Sequence, residues 1–307
     1  MRPDTARSLL VVVVVLLAGC DEEPAGGPAL GGQVRLGAVL GAADLDGFAV
    51  ADGPRDFRFP ADHGAHPAYR SDWWYLTMIL DDEDGSSAGV QFTLFRQAVA
   101  PEDGPSENRW QSNQAYLAHF AITEVADGVH RVAQRYARGH PRLAGVTAEP
   151  FALWLEDWRI ESMGRLWHLT ARAPGQAVDL DLEMGIQPVL QGDAGLSRKG
   201  PGQASYYYSV PGIPVTGQVT LAGRERAVTG LGWLDREWST SVLGDSQLGW
   251  DWFALQLDDG RKVMLYQLRR ADGTRDPYDS GLLIPADGGR APLKAADFTL
   301  APRRYWR

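Results

Sequence analysis

The chain has 307 residues, of which 44% are hydrophobic and 22% charged, and it carries a formal net charge of −9 and a single cysteine. This composition excludes disordered and collagen-like chains, and one cysteine excludes an intramolecular disulfide, a cysteine-based zinc site and an iron–sulfur cluster. The acidic balance without a cluster of lysines or arginines argues against nucleic acid as a partner, because nucleic-acid binding needs a positive surface.

The N-terminus has the pattern of an export signal. Two arginines precede the apolar run Leu9–Leu17, which is shorter than the roughly 20 residues of a membrane-spanning helix, so residues 1–19 are predicted to be a signal peptide. The order Leu17-Ala18-Gly19-Cys20 resembles the lipobox of bacterial lipoproteins, which implies cleavage before Cys20 and lipidation of its thiol. The alternative is a secreted protein whose cysteine is incidental.

The expected location is therefore the bacterial cell envelope, at the periplasmic face of a membrane. Asp21 resembles the signal that retains some lipoproteins at the inner membrane. Residues 20–45 contain many glycines and prolines and predict a flexible tether between the lipid anchor and the folded part, which begins near Phe48.

Short runs with period-2 alternation dominate the rest of the chain. In one of them Val178, Leu180 and Leu182 alternate with acidic residues, as in a half-buried strand. Similar runs occur at Trp74–Leu80, Gly89–Phe95, Ala115–Thr123, Trp167–Ala171, Gln218–Leu221 and Lys262–Leu268. Many short strands separated by turn residues predict an all-β antiparallel sandwich or barrel.

One segment of the chain is repeated. Residues Trp73–Asp82 align without gaps on residues Trp250–Asp259, and each copy ends in an acidic turn followed by a further strand. The repeat favours two related β-units. The alternative is that two hairpins merely share common strand residues.

Several motifs resemble the carotenoid 1,2-hydratase/AttH group of lipocalin-like proteins. They are Asp62-His63-Gly64-Ala65-His66-Pro67, Ser71-Asp72-Trp73-Trp74-Tyr75, Ala118-His119-Phe120, Tyr206-Tyr207-Tyr208-Ser209, Gly232-Trp233-Leu234-Asp235-Arg236-Glu237-Trp238-Ser239 and Gly249-Trp250-Asp251-Trp252-Phe253. The resemblance implies tandem lipocalin-like antiparallel β-barrels, over residues 46–221 and 222–307, with the second barrel short of strands at the C-terminus. It also implies an apolar lipid or isoprenoid ligand and, for some members, addition of water to a C=C bond without a cofactor.

Hydration of an unactivated alkene needs a positioned acid, a face that tolerates a carbocation, and a water molecule. A carboxylic acid kept protonated by burial supplies the proton, and tryptophan faces stabilise the cation. Asp251, flanked by two tryptophans, is the first candidate for the acid. Glu237 and Asp235, close to another tryptophan, are the second pair.

The candidate ligand-binding residues are mainly aromatic and histidine side chains of the same motifs. They are Trp73, Trp74, Tyr75, His63, His119, Arg236, Trp238, Trp250 and Trp252. For the large aromatics the alternative is packing inside a barrel, and for His119 it is a hydrogen-bonded core histidine. His63 and His66 are three residues apart, but no further ligand follows at a fixed spacing, so neither a metal nor another cofactor is predicted.

Arg236 is a departure from the family pattern, which has a histidine between the aspartate and the glutamate. An arginine stays protonated and cannot shuttle protons as an imidazole does. Three functions follow as hypotheses. The favoured one is a membrane-anchored protein that binds an apolar ligand. The first alternative is a hydratase-like enzyme, and the second is an accessory lipoprotein of an ABC-type permease.

Overall fold

The computed structural model describes residues 46–101, 112–241, 243–244 and 246–301. The predicted signal peptide and the whole of the predicted tether, including Cys20 and Asp21, lie outside these residues. The described part is 61% strand and 2% helical, which confirms the all-β fold class. No helix within it has the length and apolar character needed to cross a membrane.

The described residues form seventeen strands and two single-turn 3₁₀ segments, Ala61–His63 and Ala295–Asp297. The strands are β1 Ser71–Asp82, β2 Ser87–Ala98, β3 Gln114–Glu124, β4 His130–Arg138, β5 Ala144–Ala148, β6 Phe151–Leu155, β7 Trp158–Met163, β8 Leu166–Ala173, β9 Gln176–Glu183, β10 Val189–Leu190, β11 Leu196–Gly200, β12 Gln203–Leu221, β13 Arg224–Ser241, β14 Gln247–Gln256, β15 Lys262–Arg270, β16 Ser280–Ile284 and β17 Ala291–Lys294. Each run that the alternation marked as a strand falls within or overlaps one of them.

Sheet A is a nearly closed antiparallel barrel with the strand order β4-β3-β2-β1-β13-β12-β9-β8-β7-β6-β5, and β10 and β11 pair with β12. Arg135 of the edge strand β4 contacts the turn between β6 and β7, near the other end of the sheet. Its guanidinium forms a salt bridge with Asp157, between β6 and β7, and lies 4.4 Å from the ring centroid of Trp158. The barrel interior holds the larger of the two hydrophobic clusters.

The long hairpin β12–β13 has both faces buried. Leu234, Arg236 and Trp238 point into the barrel, where Leu234 and Trp238 belong to the main core. The alternate residues of β13, among them Asp235 and Glu237, face outward, yet they are also buried. Period-2 alternation thus assigns adjacent residues of this one strand to two different environments.

Sheet B, with the strand order β14-β15-β16-β17, covers the outer face of this hairpin. Tyr207 and Trp233 of sheet A share a second buried cluster with Met264, Tyr266 and Leu268 of sheet B. Burial of these large side chains accounts for the contact between the sheets.

The two copies of the sequence repeat begin the hairpins β1–β2 and β14–β15, and they meet at this contact. Trp73 stacks on Trp250 with ring centroids 5.3 Å apart, and Tyr75 packs edge-on against Trp252, also at 5.3 Å. These are equivalent positions of the aligned copies. The repeat therefore supplies the aromatic contact between the sheets.

The predicted domain boundary, between residues 221 and 222, lies at the turn between β12 and β13, whose strands pair along nearly their whole length. The change from sheet A to sheet B comes later, after Ser241. Because β13 pairs with both β1 and β12, it belongs to the first barrel. In the described part the second unit consists of the four strands of sheet B.

Candidate active site between the two sheets

The outer face of the central strands brings polar residues together beneath sheet B. Asp235 of β13 lies directly opposite Tyr75 of β1 and opposite Ser209 of β12 in the strand register. Cross-strand neighbours on one face of a sheet have Cβ atoms about 4.5–5.5 Å apart. We call the group formed by Asp235, Tyr75, Tyr207, Ser209, Trp233 and Trp252 the intersheet site.

Asp235 is only 6% exposed, and its two carboxyl oxygens have different surroundings. Oδ1 accepts hydrogen bonds from the hydroxyl of Tyr207 at 2.9 Å, from Nε1 of Trp233 at 3.0 Å and from the hydroxyl of Ser209. Oδ2 is fully buried and has no hydrogen-bond partner among the described residues. The arrangement leaves Oδ2 to carry a proton.

The environment of Asp235 favours its neutral form. Burial raises the pKa of this carboxyl to about 7, and the nearby charge of Glu237 acts in the same direction. The three donors at Oδ1 act in the opposite direction, because they stabilise the carboxylate. At neutral pH the acid is therefore present in both forms, as general acid–base catalysis requires.

Further hydrogen bonds hold these donors in place. Nε1 of Trp252 donates to the Tyr207 hydroxyl at 3.3 Å, and the buried amide of Gln191 donates to the Ser209 hydroxyl at 2.8 Å. Because the Tyr207 and Ser209 hydroxyls accept these hydrogen bonds from Trp252 and Gln191, their own protons are directed to the carboxylate of Asp235. The acid is thus fixed by groups from both sheets.

Glu237, the acid predicted together with Asp235, lies two residues further along the same face of β13. Its carboxylate already has a charged partner. Its carboxylate forms a buried salt bridge with Nζ of Lys199, which also contacts the Ser205 hydroxyl at 3.3 Å. The same ammonium lies 5.7 Å from the ring centroid of Trp73. The carboxylate of Glu237 is thus engaged by Lys199, and its charge raises the pKa of the neighbouring Asp235.

Four aromatic rings form the partly exposed rim of the site. Trp73 and Tyr75 come from sheet A, and Trp250 and Trp252 come from sheet B. All four are among the predicted ligand-binding residues, and they contact one another across the two sheets.

Asp251 does not lie in this site, and the expectation that it is a buried acid is wrong. Its side chain is 45% exposed and lies 3.7 Å from Nε of Arg269. Trp250 and Trp252 point toward sheet A, so the residue between them in the strand points away from it.

Trp74, Arg236 and Trp238 are also separated from Asp235, because they point into the barrel from the opposite face of the sheet. The Arg236 guanidinium is fully buried and pairs with Asp72, while it donates to the carbonyl oxygen of Gly64. It also lies 3.9 Å from the centroid of the Trp74 ring. These predicted ligand-binding residues instead hold the segment that precedes β1 against the barrel.

The three histidines named in the sequence analysis, His63, His66 and His119, lie in three different environments. His63 contacts the Tyr208 hydroxyl at 2.6 Å inside the barrel, where burial and the charge of Arg236 lower its pKa to about 4. His66 stacks on Trp238 with centroids 3.8 Å apart and contacts Asp62 and Asp72. His119 lies on the outer face of β3, half-buried, with its ring 5.7 Å from that of Phe95.

The described residues contain no group of three or more His, Cys, Asp and Glu side chains arranged to hold a metal ion. A cavity of about 210 Å³ lies on the barrel wall formed by β8, β9 and β12, and its lining includes Arg172, Asp179 and Gln218 but none of the predicted site residues.

Sequence reasoning missed the residues that surround the acid as functional partners. They are Tyr207, Ser209, Trp233, Lys199 and Gln191. Tyr207 and Ser209 alternate within a quoted motif, and this alternation was the available signal that they share one strand face. The positions of Lys199 and Gln191 depend on strand pairings that the local sequence does not specify.

Comparison with known proteins agrees with this architecture. The AttH-like family model matches residues 50–307. The crystal structure of a candidate AttH protein from Nitrosomonas europaea superposes with a TM-score of 0.76 at 34% identity, over 85% of this chain and 79% of that one. Kievitone hydratase from Nectria haematococca has a TM-score of 0.58 at 14% identity, over 78% of this chain and 68% of that one, and so shares the fold. No curated protein matches the sequence.

Proposed function

The chain belongs to the AttH-like family, and on that premise we propose that it binds an apolar, unsaturated molecule of the lipid or isoprenoid class at the intersheet site. The observation that carries this proposal is the aromatic rim of Trp73, Tyr75, Trp250 and Trp252 around a buried acid whose pKa is raised to about 7.

The charges at the site support an uncharged ligand. Glu237 and Lys199 neutralise each other, and Asp235 has a raised pKa. A charged ligand group would therefore meet no free opposite charge among these residues, whereas an apolar chain would contact ring faces.

Binding is tested by titrating the full chain with retinol, geranylgeraniol and methyl oleate and following tryptophan fluorescence. Trp252→Leu removes a rim ring and should weaken binding about tenfold, which corresponds to the ~1.4 kcal/mol of one aromatic contact. Phe253→Leu is the matched control, because Phe253 lies on the other face of the same strand and is 39% exposed. Absence of saturable binding for all three probes contradicts the proposal, as does an equal loss in both variants.

A second candidate function, acid-catalysed hydration of a C=C bond, is favoured by the unpartnered Oδ2 of Asp235. A proton on that oxygen can be transferred to an alkene carbon, and the three donors at Oδ1 stabilise the carboxylate that remains. The ring faces of the rim stabilise the carbocation. Kievitone hydratase, an enzyme named for hydration, has the same fold, which supports the idea that this architecture can host such chemistry.

Hydration is tested with lycopene and geranylgeraniol in ¹⁸O-labelled water, with mass spectrometry of the alcohol product. Asp235→Asn should abolish incorporation of the label, whereas Asp251→Asn should retain it, because Asp251 faces away from the site. Labelled product from Asp235→Asn at the wild-type rate removes Asp235 as the acid.

We further propose that Cys20 carries a lipid anchor at the periplasmic face of a membrane. An anchored protein lies beside a source of apolar ligands. The lipobox-like sequence supports this location, and the Cys20→Ser experiment described below tests it.

A further inference from the structure

Tyr75 and Asp235 present complementary hydrogen-bonding groups on one face of sheet A. The Tyr75 hydroxyl oxygen accepts a hydrogen bond from Nε2 of Gln91 at 2.6 Å. Because this bond uses an acceptor position of the oxygen, the hydroxyl proton is directed elsewhere. No acceptor for that proton lies within hydrogen-bond distance among the described residues.

The complementary group is Oδ2 of Asp235, which is buried and unpartnered. The two residues are directly opposite in the β1–β13 register, so their side chains leave the same face of the sheet. Burial raises the pKa of the Tyr75 hydroxyl, and the charge of Asp235 raises it further, as expected for groups that are close together.

We propose that Tyr75 and Asp235 form a two-point subsite for one water molecule or one ligand hydroxyl, which accepts a hydrogen bond from Tyr75 and, when Asp235 is ionised, donates one to its Oδ2. Water and alcohols are the groups that both accept and donate in this way. Tyr75 is thereby a positioning residue, and the ligand class narrows to apolar molecules that carry, or acquire, one hydroxyl.

The chemical role of the subsite depends on the proposed hydration, in which the water bound there is the nucleophile. The Asp235 O–H bond breaks as the alkene π pair forms a C–H bond, which leaves a carbocation and a carboxylate. A lone pair of the water held by Tyr75 then forms the C–O bond, and Oδ2 takes the surplus proton from that water. The acid is regenerated and the net change is alkene plus water to alcohol. Because one carboxyl serves both steps, hydrogen and hydroxyl add to the same face.

The first test does not require activity. The titration of Asp235 is followed by ¹³C NMR in the wild type, in Tyr75→Phe and in the matched control Tyr136→Phe, whose hydroxyl lies on the edge strand β4 with the residue 57% exposed. A water that donates to the carboxylate lowers its pKa, so its loss in Tyr75→Phe should raise the midpoint by at least about half a pH unit. An unchanged midpoint in Tyr75→Phe overturns the subsite.

A second measurement applies if Tyr75→Phe does not fold. A crystal structure of the wild type, at a resolution that orders buried water, should show one water within hydrogen-bond distance of both Oδ2 of Asp235 and the Tyr75 hydroxyl. A structure in which the two groups bond directly to each other, or in which no water bridges them, overturns the subsite.

Binding of linalool and myrcene separates the subsite from the hydration proposal, because linalool is myrcene plus one water. The wild type should prefer linalool, and Tyr75→Phe should lose about tenfold in linalool affinity with little change for myrcene. Equal effects on both probes overturn the subsite. A hydroxyl preference that depends on Tyr75, in a protein that never forms labelled alcohol, supports the subsite and removes the hydration.

Discussion

Asp235→Asn offers a direct test of the buried acid, because it removes the charge and keeps an oxygen to accept the three hydrogen bonds at Oδ1. Burial raises the pKa of Asp235 from 3.8 to about 7 in the folded protein, and the unfolded chain restores the ordinary value. Between these two values the folded state binds a proton that the unfolded state releases, so the free energy of unfolding falls as pH rises.

The stabilising contribution of the raised pKa is complete below about pH 4 and is lost as pH increases through about 7. At about 1.4 kcal/mol per pH unit, the interval corresponds to roughly 4 kcal/mol. Asparagine does not ionise. The free energy of unfolding of Asp235→Asn, taken relative to that of the wild type, should therefore increase by roughly this amount as pH rises from about 4 to about 8.

The assay is urea unfolding of wild type and variant across this pH range, with tryptophan fluorescence and circular dichroism as probes. Asp251→Asn is the matched control, because it makes the same substitution at a side chain that is 45% exposed and faces away from the intersheet site. A stability difference between Asp235→Asn and wild type that does not vary with pH would refute the reasoning, since it would show that Asp235 ionises in the folded state as it does in water.

Further variants test neighbouring parts of the molecule. Arg236→Met leaves the fully buried Asp72 without one of its two guanidinium partners and should lower the free energy of unfolding by about 3–5 kcal/mol, measured by chemical denaturation; a change below ~1 kcal/mol would contradict the role given to this pair. Tyr207→Phe removes a donor to the carboxylate and should raise the titration midpoint of Asp235, followed by ¹³C NMR, whereas a lowered midpoint would disprove that role. Cys20→Ser should abolish incorporation of labelled fatty acid in a bacterial host, and unchanged labelling would exclude lipidation at this residue.

Much of the fold could be predicted from local pattern. Alternating apolar residues marked the strands, and the repeat of Trp73–Asp82 at Trp250–Asp259 marked the two hairpins that meet at the intersheet contact. What alternation does not specify is which face of a strand turns inward when both faces are buried. In β13 one face packs in the barrel and the other packs under sheet B, so Asp235 and Arg236 looked equally suited to one site.

The error at Asp251 has a simple physical cause. Its neighbours in sequence are tryptophans, and the prediction of a buried acid at this position equates proximity in sequence with burial among their rings. In a strand, however, the adjacent side chains point to the opposite face, so flanking tryptophans do not surround the residue between them. The rings that do enclose an acid come from other strands, as Trp233 and Tyr207 do for Asp235, and strand pairing over long sequence distances brings them there.

The position of Arg236 changes the meaning of its departure from the family pattern. Had its side chain faced Asp235, an arginine in place of histidine would have removed a proton carrier from the site. The guanidinium instead lies inside the barrel, bound to Asp72 and to the carbonyl oxygen of Gly64. The three donors to the Asp235 carboxyl are Tyr207, Ser209 and Trp233, and its raised pKa comes from burial and from the charge of Glu237, so neither feature depends on Arg236. The substitution therefore bears on how the segment before β1 is held, and it does not count against acid chemistry on the other face of the sheet.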